Sequence, residues 1–297
     1  MKIALCFLIS YDHKLKKEKL WIDWIEKNKK LINVYFHYKD KSKIESEWIL
    51  NHCLPEDCIV ETSYYHVVGA YVALLKYAIN HDVYNKWFIF LTDSCVPIIQ
   101  PVKFRDLFYE YSNYSILRWK QAWWDINHHK RANLRYFPAR FQLGHDPWFI
   151  LNRYDVQYIL NYFYTNPREC NLICSGGLAN ESIFAIILRQ SNRLETKVIN
   201  KSITATNWSK MSSATSPYVF KTGDIAELKF ITDFIEKNTF TMFLRKVDSK
   251  FPDDILYEFI NRPCEQNYGD YFHIDIMLVF MILCCLFCSY VVYIIVF

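Results

Sequence analysis

The stretch Asp146–Leu188, DPWFILNRYDVQYILNYFYTNPRECNLICSGGLANESIFAIIL, decides how the chain is read. It gives a short strand carrying aromatics, a helix, a Gly-containing loop and a second apolar helix. The loop delivers one carboxylate, Glu181, to the first turn of that second helix. Helix N-termini expose free backbone N–H groups and favour negative charge. A carboxylate placed there, after a flexible Ser175-Gly176-Gly177, is positioned to face a cleft. The same residues also fit an ordinary helix start, with Asn180 as N-cap and Glu181 as a first-turn charge. The rest of the chain has to decide between the two.

Working outward, β-rich runs alternate with helical ones. Strands are expected at Ile3–Ile9, Asn33–His37, Trp87–Leu91, Ser115–Arg118, Trp148–Leu151 and Lys197–Ile199. Helices are expected at Lys16–Lys27, Ala70–Asn80, Phe104–Tyr111, Tyr154–Phe163, Glu181–Gln190 and Asp224–Asn238. Such alternation predicts an α/β sheet. Open sheets of this kind bind ligands beyond the carboxyl ends of their strands, where Tyr38–Asp40 and Asp93–Cys95 fall. No G-x-G-x-x-G and no P-loop occurs, which disfavours dinucleotide and kinase-type phosphate sites. Asp93-Ser94 is a single acid after a strand, not the Asp-x-Asp of a metal-dependent nucleotide-sugar enzyme. His128-His129 and His145 match no metal-ligand spacing, so no metal is expected.

With 297 residues, 52% of them apolar and 18% aromatic, the chain can bury a large core. It has no Pro/Gly/Ser-rich linker, low-complexity tract or repeat, so a single domain over residues 1–255 is expected. The net charge of +4 is mild. The N-terminal lysines (Lys14, Lys16, Lys17, Lys19, Lys27, Lys29, Lys30) read as a solvated helix face, and no nucleic-acid partner is expected. Ten cysteines are present; Cys284, Cys285 and Cys288 lie in the C-terminal apolar run. Among the seven outside it, Cys53/Cys58 and Cys170/Cys174 lack the paired C-x-x-C spacing of a zinc site, so these read as free thiols. Ile276–Phe297 carries no charge over 22 residues, enough to span about 30 Å of hydrocarbon. It is read as a transmembrane tail anchor, a lipid-bilayer partner, after a juxtamembrane stretch over 256–275. Without a signal peptide the globule would then face the cytosol. Of four sequons, the one at Asn180 would place a glycan beside Glu181, so either the chain avoids the lumen or Glu181 is not the site.

WFILNR, a loop and then a Glu before an aromatic-bearing helix resemble the "QWF.L.R … DE..F" segment of the Core-2/I-branching β-1,6-N-acetylglucosaminyltransferases, grouped with peptide O-xylosyltransferases. Other blocks follow in order. Lys2–Ser10 looks like the family's first strand, and Asn33–Ser42 (NVYFHYKDKS) is similar to its "Y.IH.D.K" strand and nucleotide loop. Gly69–Ile79 (GAYVALLKYAI) looks like its next helix, and Trp87–Ile98 is similar to "F.LLSG.D.PL". Phe220–Leu228 (FKTGDIAEL) and Phe240–Val247 (FTMFLRKV) resemble "F..GDL..L" and "lFARKF". The chain most resembles short, Asn- and Lys-rich versions carried by large DNA viruses.

The resemblance implies a GT-A-like domain with a mixed, mostly parallel sheet. It also implies a metal-independent inverting transfer of GlcNAc or xylose from a UDP-sugar, the only co-substrate, to a glycan or glycoprotein acceptor. Glu181 aligns with the catalytic base, although the usual "DE" reads Asn180-Glu181. Arg245 and Lys246 align with the cations that hold the diphosphate. His37, Asp40 and Asp93 fall in the donor region. The family's second basic contact has no match at Thr215-Ser216-Pro217, leaving Lys210 or Lys221 as substitutes. Trp119, Trp124 and Trp148 are the aromatics expected to stack on acceptor sugar, in a region also rich in Arg118, Trp123, Arg135 and Tyr136. Two other readings stand beside this one. One is a non-catalytic carbohydrate-binding or membrane scaffold protein of the same fold. The other is a two-carboxylate hydrolase using Asp93 and Glu181.

Overall fold

A six-stranded sheet runs Ile32–His37, Lys2–Leu8, Asn85–Thr92, Ile150–Asn152, Ser115–Ile116, Val198–Ile199 across its width. The structure is a computed structural model and describes residues 1–9, 11–212 and 216–262. Lys2–Leu8 is parallel to both its neighbours, Ile150–Asn152 is antiparallel to both of its own, and Val198–Ile199 is parallel to Ser115–Ile116. The central mixed sheet, flanked by helices, fits the GT-A-like architecture.

The central strands are apolar on both faces, as strands covered on two sides must be. Period-two alternation divides their side chains between two cores. Ile3, Leu5, Phe7, Trp87, Ile89 and Leu91 pack with Trp21 and Trp24 of helix Glu18–Glu26 and with Phe104 of helix Pro101–Tyr111. Ala4, Cys6, Phe88 and Phe90 pack on the other side with helices Val68–His81, Arg153–Thr165 and Ile183–Gln190. A small sheet, ordered Thr204–Thr206, Phe243–Arg245, Val96–Pro97, flanks the first core. A two-stranded ribbon pairs Trp119–Gln121 with Leu143–His145.

Every expected strand and helix is present, with ends moved by a few residues. Helices at Glu47–Asn51, Pro167–Cys174, Arg193–Thr196 and Asp253–Asn261 were not expected. Pro167 reads as a breaker in sequence but opens its helix in the first turn, where proline's missing N–H costs nothing. Asp253–Asn261 buries Leu256, Phe259 and Ile260 in the first core, so the compact unit is Met1–Asn261 and passes the boundary expected at 255. Residues 256–261 therefore belong to this compact unit. The run Ile276–Phe297 read as an anchor lies outside the described residues. Among the described residues no helix is long and apolar enough to cross a membrane. Cys6, Cys53, Cys58, Cys95, Cys170 and Cys174 are free thiols.

Candidate active site

The registers bring the site to one edge of the sheet. Leu8 is level with both His37 and Thr92, so the carboxyl ends of the three parallel strands lie in a row. The antiparallel strand Ile150–Asn152 enters at the same edge, and Phe90 N donates to Phe149 O, leaving Asp146–Trp148 beside Thr92 and Asp93. Asp146 N in turn donates to Arg118 O. The strand Phe243–Arg245 is stitched on through Val247 N and the Ser94 carbonyl, at 3.0 Å.

Arg245 and Lys246 thus reach the edge occupied by Asp93. The Arg245 guanidinium donates to the Thr92 and Ser94 hydroxyls and lies 4.5 Å from the Trp148 ring centre. Its Nε is buried and has no hydrogen-bond partner among the described residues. Trp148, expected to stack on acceptor, is buried and holds Arg245 against one face of its ring. Lys246 Nζ donates to Ser216 Oγ at 3.2 Å. Burial, and next the Arg245 cation, hold the Lys246 ammonium below its ordinary proton affinity, with Tyr64 and Asp93 acting the other way.

The FKTGDIAEL block is a capping device behind these cations. Asp224 caps helix Ile225–Lys237 by accepting from Glu227 N. Buried Glu227 reaches back to the amides of Lys221, Thr222 and Gly223 and to the Tyr218 hydroxyl. Gly223 has φ +66°, and a Cβ there would meet Ile255 Cδ1 at 2.3 Å. Phe220 N and the Lys246 carbonyl close the connection at 2.8 Å. Lys210 and Lys221, the substitutes considered for a second phosphate contact, are exposed and act on Asp224 and Asp248 respectively.

At the far end of the row, Tyr38, Lys39, Asp40, Lys41, Ser42, Glu56 and Ile59 line an open cleft of about 410 Å³. His37 is buried beneath it, and its Nε2 accepts from Val60 N at 3.2 Å while Nδ1 has no partner among the described residues. Burial pushes its pKa down to about 4, so the imidazole is neutral. Asp40 caps the turn Lys41–Lys43, accepting from the Ser42 amide and hydroxyl at 3.1 and 2.6 Å. Its carboxylate shapes the loop more directly than it offers a free acceptor.

Glu181 occupies the other side of the edge. It ends a single 3-10 turn, Ala179–Glu181, before helix Ile183–Gln190, so Asn180 is not the N-cap of that helix. Of the preceding glycines, Gly176 serves close approach, while a Cβ on Gly177 would make only ordinary contact with Tyr65. A Cβ on Gly176 would lie 2.5 Å from Asn133 N and 2.6 Å from Lys130 O, and Ala132 N donates to Gly177 O at 3.0 Å. The packed loop carries Arg131, whose Nη1 is 3.9 Å from Glu181 Oε2 and whose guanidinium lies 4.9 Å from the Trp124 ring centre. The Glu181 side chain is 20% exposed. Burial pushes its pKa up to about 7, with Arg131 opposing and Asp146 adding to the rise. Asp146 is itself raised by burial, against Ser202, Arg118 and Lys120.

Tyr71 links the halves. Its hydroxyl donates to Pro147 O at 3.0 Å, and its proton affinity, raised mainly by burial, registers both Arg245 and Glu181. Trp119 lies under the Arg189 guanidinium at 4.9 Å, and its Nε1, like that of Trp124, is buried with no hydrogen-bond partner among the described residues. Tyr71, Arg131 and Asp146 were not found from sequence: a tyrosine in an apolar helix reads as core, and Arg131 is one of several loop cations. His145 is buried and neutral, its Nδ1 donating to Asp146 O, whereas His128 and His129 are exposed. Among the described residues no three His, Cys, Asp or Glu side chains are grouped to hold a metal ion.

An open α/β sheet with cations and a half-buried carboxylate near one carboxyl edge is an arrangement in which such sheets bind ligands. The family model of the Core-2/I-branching enzymes matches residues 5–232, and the chain belongs to that family. No curated protein matches the chain. The family assigns glycosyl transfer as its class of reaction, with a nucleotide sugar as donor and a glycan as acceptor.

Proposed function

We propose that the chain is a metal-independent, inverting transferase that moves GlcNAc or xylose from a UDP-sugar to a hydroxyl of a glycan or glycoprotein. The observation that supports this reading is that Glu181, a carboxylate with a pKa of about 7, and the Arg245 cation both act on Tyr71. We read the sheet edge between them, with Lys246 next in sequence, as one crevice. A carboxylate tuned to the working pH suits a general base. Glu181 takes the proton of the acceptor hydroxyl, whose oxygen bonds to the anomeric carbon from the face opposite the phosphate. The anomeric C–O bond breaks, and its electron pair leaves with the diphosphate. Arg245 and Lys246 stabilise that charge from fixed positions in a partly desolvated site, which spares the reorganisation that water would require.

The donor lies along the row of strand ends. His37 and Thr92 are two strand spacings apart, about 10 Å, a span that a nucleoside diphosphate bridges. The open cleft at Tyr38–Ser42 receives the nucleoside, and Asp93 faces the sugar. Trp119 and Trp124 form the acceptor wall, while Trp148 positions Arg245. The charge-free run Ile276–Phe297 is the reason to attach this activity to a membrane.

The test is a UDP-sugar turnover screen on the full chain with and without EDTA, beside Glu181→Gln. EDTA-resistant UDP release that falls about 10²–10⁴-fold in the variant is expected for loss of a positioned base. A folded chain that neither binds nor turns over any UDP-sugar contradicts the reading. Donor binding without turnover, unchanged in Glu181→Gln, favours the scaffold alternative.

A further inference from the structure

The connection between strand Lys2–Leu8 and helix Glu18–Glu26 crosses the carboxyl edge and is pinned at three places. Buried His13 donates through Nδ1 to the Tyr11 carbonyl at 2.7 Å and accepts the Asp40 amide through Nε2 at 3.1 Å. Lys16 N donates to the Asp93 carbonyl at 2.9 Å. Lys17, in left-handed conformation with φ 58°, donates through Nζ to the carbonyls of Ser249, at 2.7 Å, and of Phe251, and ion-pairs with Asp253 at 2.6 Å. The backbone of Lys16 is therefore held between the end of strand Asn85–Thr92 and the turn that follows Lys246.

Its side chain is half-buried, and its charge acts on both Lys246 and Asp248. Among the described residues its ammonium enters no ion pair. Two ammonium groups close enough to disfavour one another are costly until an anion joins them. A diphosphate leaving group carries more charge than one lysine neutralises, and Arg245 is already fixed on two hydroxyls and the Trp148 ring. Lys210 and Lys221 are exposed, whereas Lys16 is half-buried and its charge acts on Lys246.

We propose that Lys16 is the second cation of the diphosphate subsite, gripping the phosphates opposite Lys246. This inference rests on the donor reading above. It assigns to an N-terminal lysine, outside the block where the resemblance leaves a gap, the task of completing the anion site.

The experiment measures UDP and uridine binding to the full chain by calorimetry at several salt concentrations. It compares wild type with Lys16→Met, Lys16→Arg, Lys246→Met, Lys210→Met, Lys221→Met and the exposed neighbour Lys19→Met. Loss of one charge-assisted contact should weaken UDP about tenfold or more in Lys16→Met. Uridine should bind as before, the salt dependence of UDP binding should flatten, and Lys16→Arg should retain most of the affinity. Lys16→Gln repeats the test if the Met variant fails to fold. Wild-type UDP affinity and salt dependence in Lys16→Met would overturn the inference. Equal weakening of uridine, or a loss that appears in Lys210→Met or Lys221→Met instead, would also overturn it. A wild-type chain that binds no UDP fails the donor reading itself, a result separable from wild-type binding that Lys16→Met leaves intact.

Discussion

The two halves of the crevice are held by different kinds of structure. On the donor side, placement follows from strand register. Leu8, His37 and Thr92 are level because three strands are hydrogen-bonded in parallel, and Arg245 arrives on a strand pinned to Ser94 and Thr206. On the base side, Glu181 stands on one 3-10 turn whose position depends on loops packed against loops. Ala132 N holds Gly177, and Leu178 N donates to Tyr65 O at 2.9 Å. A sheet edge spreads strain over many backbone bonds, whereas a loop contact stakes a catalytic atom on a few ångströms of clearance. The donor half should tolerate change around it, and the base half should not.

After loss of Glu181 itself, the largest expected effect lies on the donor side. Lys246→Met should lower turnover about 10²–10³-fold, as removal of a fixed electrostatic stabiliser does. UDP affinity should fall with it, which calorimetry on the same protein measures. Gly176→Ala tests the contrast more sharply. The new methyl would meet the Asn133 amide at 2.5 Å, and neither backbone segment can yield as a flexible side chain would. A stability loss of about 1–3 kcal/mol is expected, with turnover falling while UDP affinity is kept. Equal loss of UDP binding would show that the halves are not independent.

Arg131→Met gives the smallest and most specific effect. Arg131 opposes the burial that raises Glu181, so its removal should move the acidic limb of kcat/KM to higher pH. The sign follows from the roles: a general base works deprotonated, and a higher pKa leaves less of it so at a given pH. An unchanged limb would mean that Arg131 acts on acceptor alone. The same burial has a cost in stability. A carboxyl raised from 4.5 to about 7 binds its proton more tightly when folded, so stability declines as pH rises through that window and stays reduced above it.

Much of this was legible in the chain. The apolar runs of Lys2–Leu8 and Asn85–Thr92 announced buried parallel strands, and Glu181, Arg245 and Lys246 stood out by their blocks. What escaped has physical causes. Helix Pro167–Cys174 hides behind a proline that tertiary packing uses as a first-turn residue. Asp253–Asn261 shows only three buried apolar residues, too few to separate it from a linker before the first core is known. Arg131 and Lys16 belong to loops, where periodicity carries no information and long-range contacts decide position. The Gly176-Gly177 pair was read for freedom, while the fold uses Gly176 for the missing side chain. Trp148 looked like a sugar platform, and its partner turned out to be Arg245.

The central claim is that Glu181 is the base and that its proton affinity is set by burial at the edge of the sheet. The most direct measurement is the pH dependence of kcat/KM for EDTA-resistant UDP release by the full chain, with acceptor present, beside Glu181→Gln. An acidic limb near pH 7 is expected in the wild type, with only residual, pH-independent release in the variant. A wild-type profile flat down to pH 5, or a variant that keeps the limb and the rate, would contradict it.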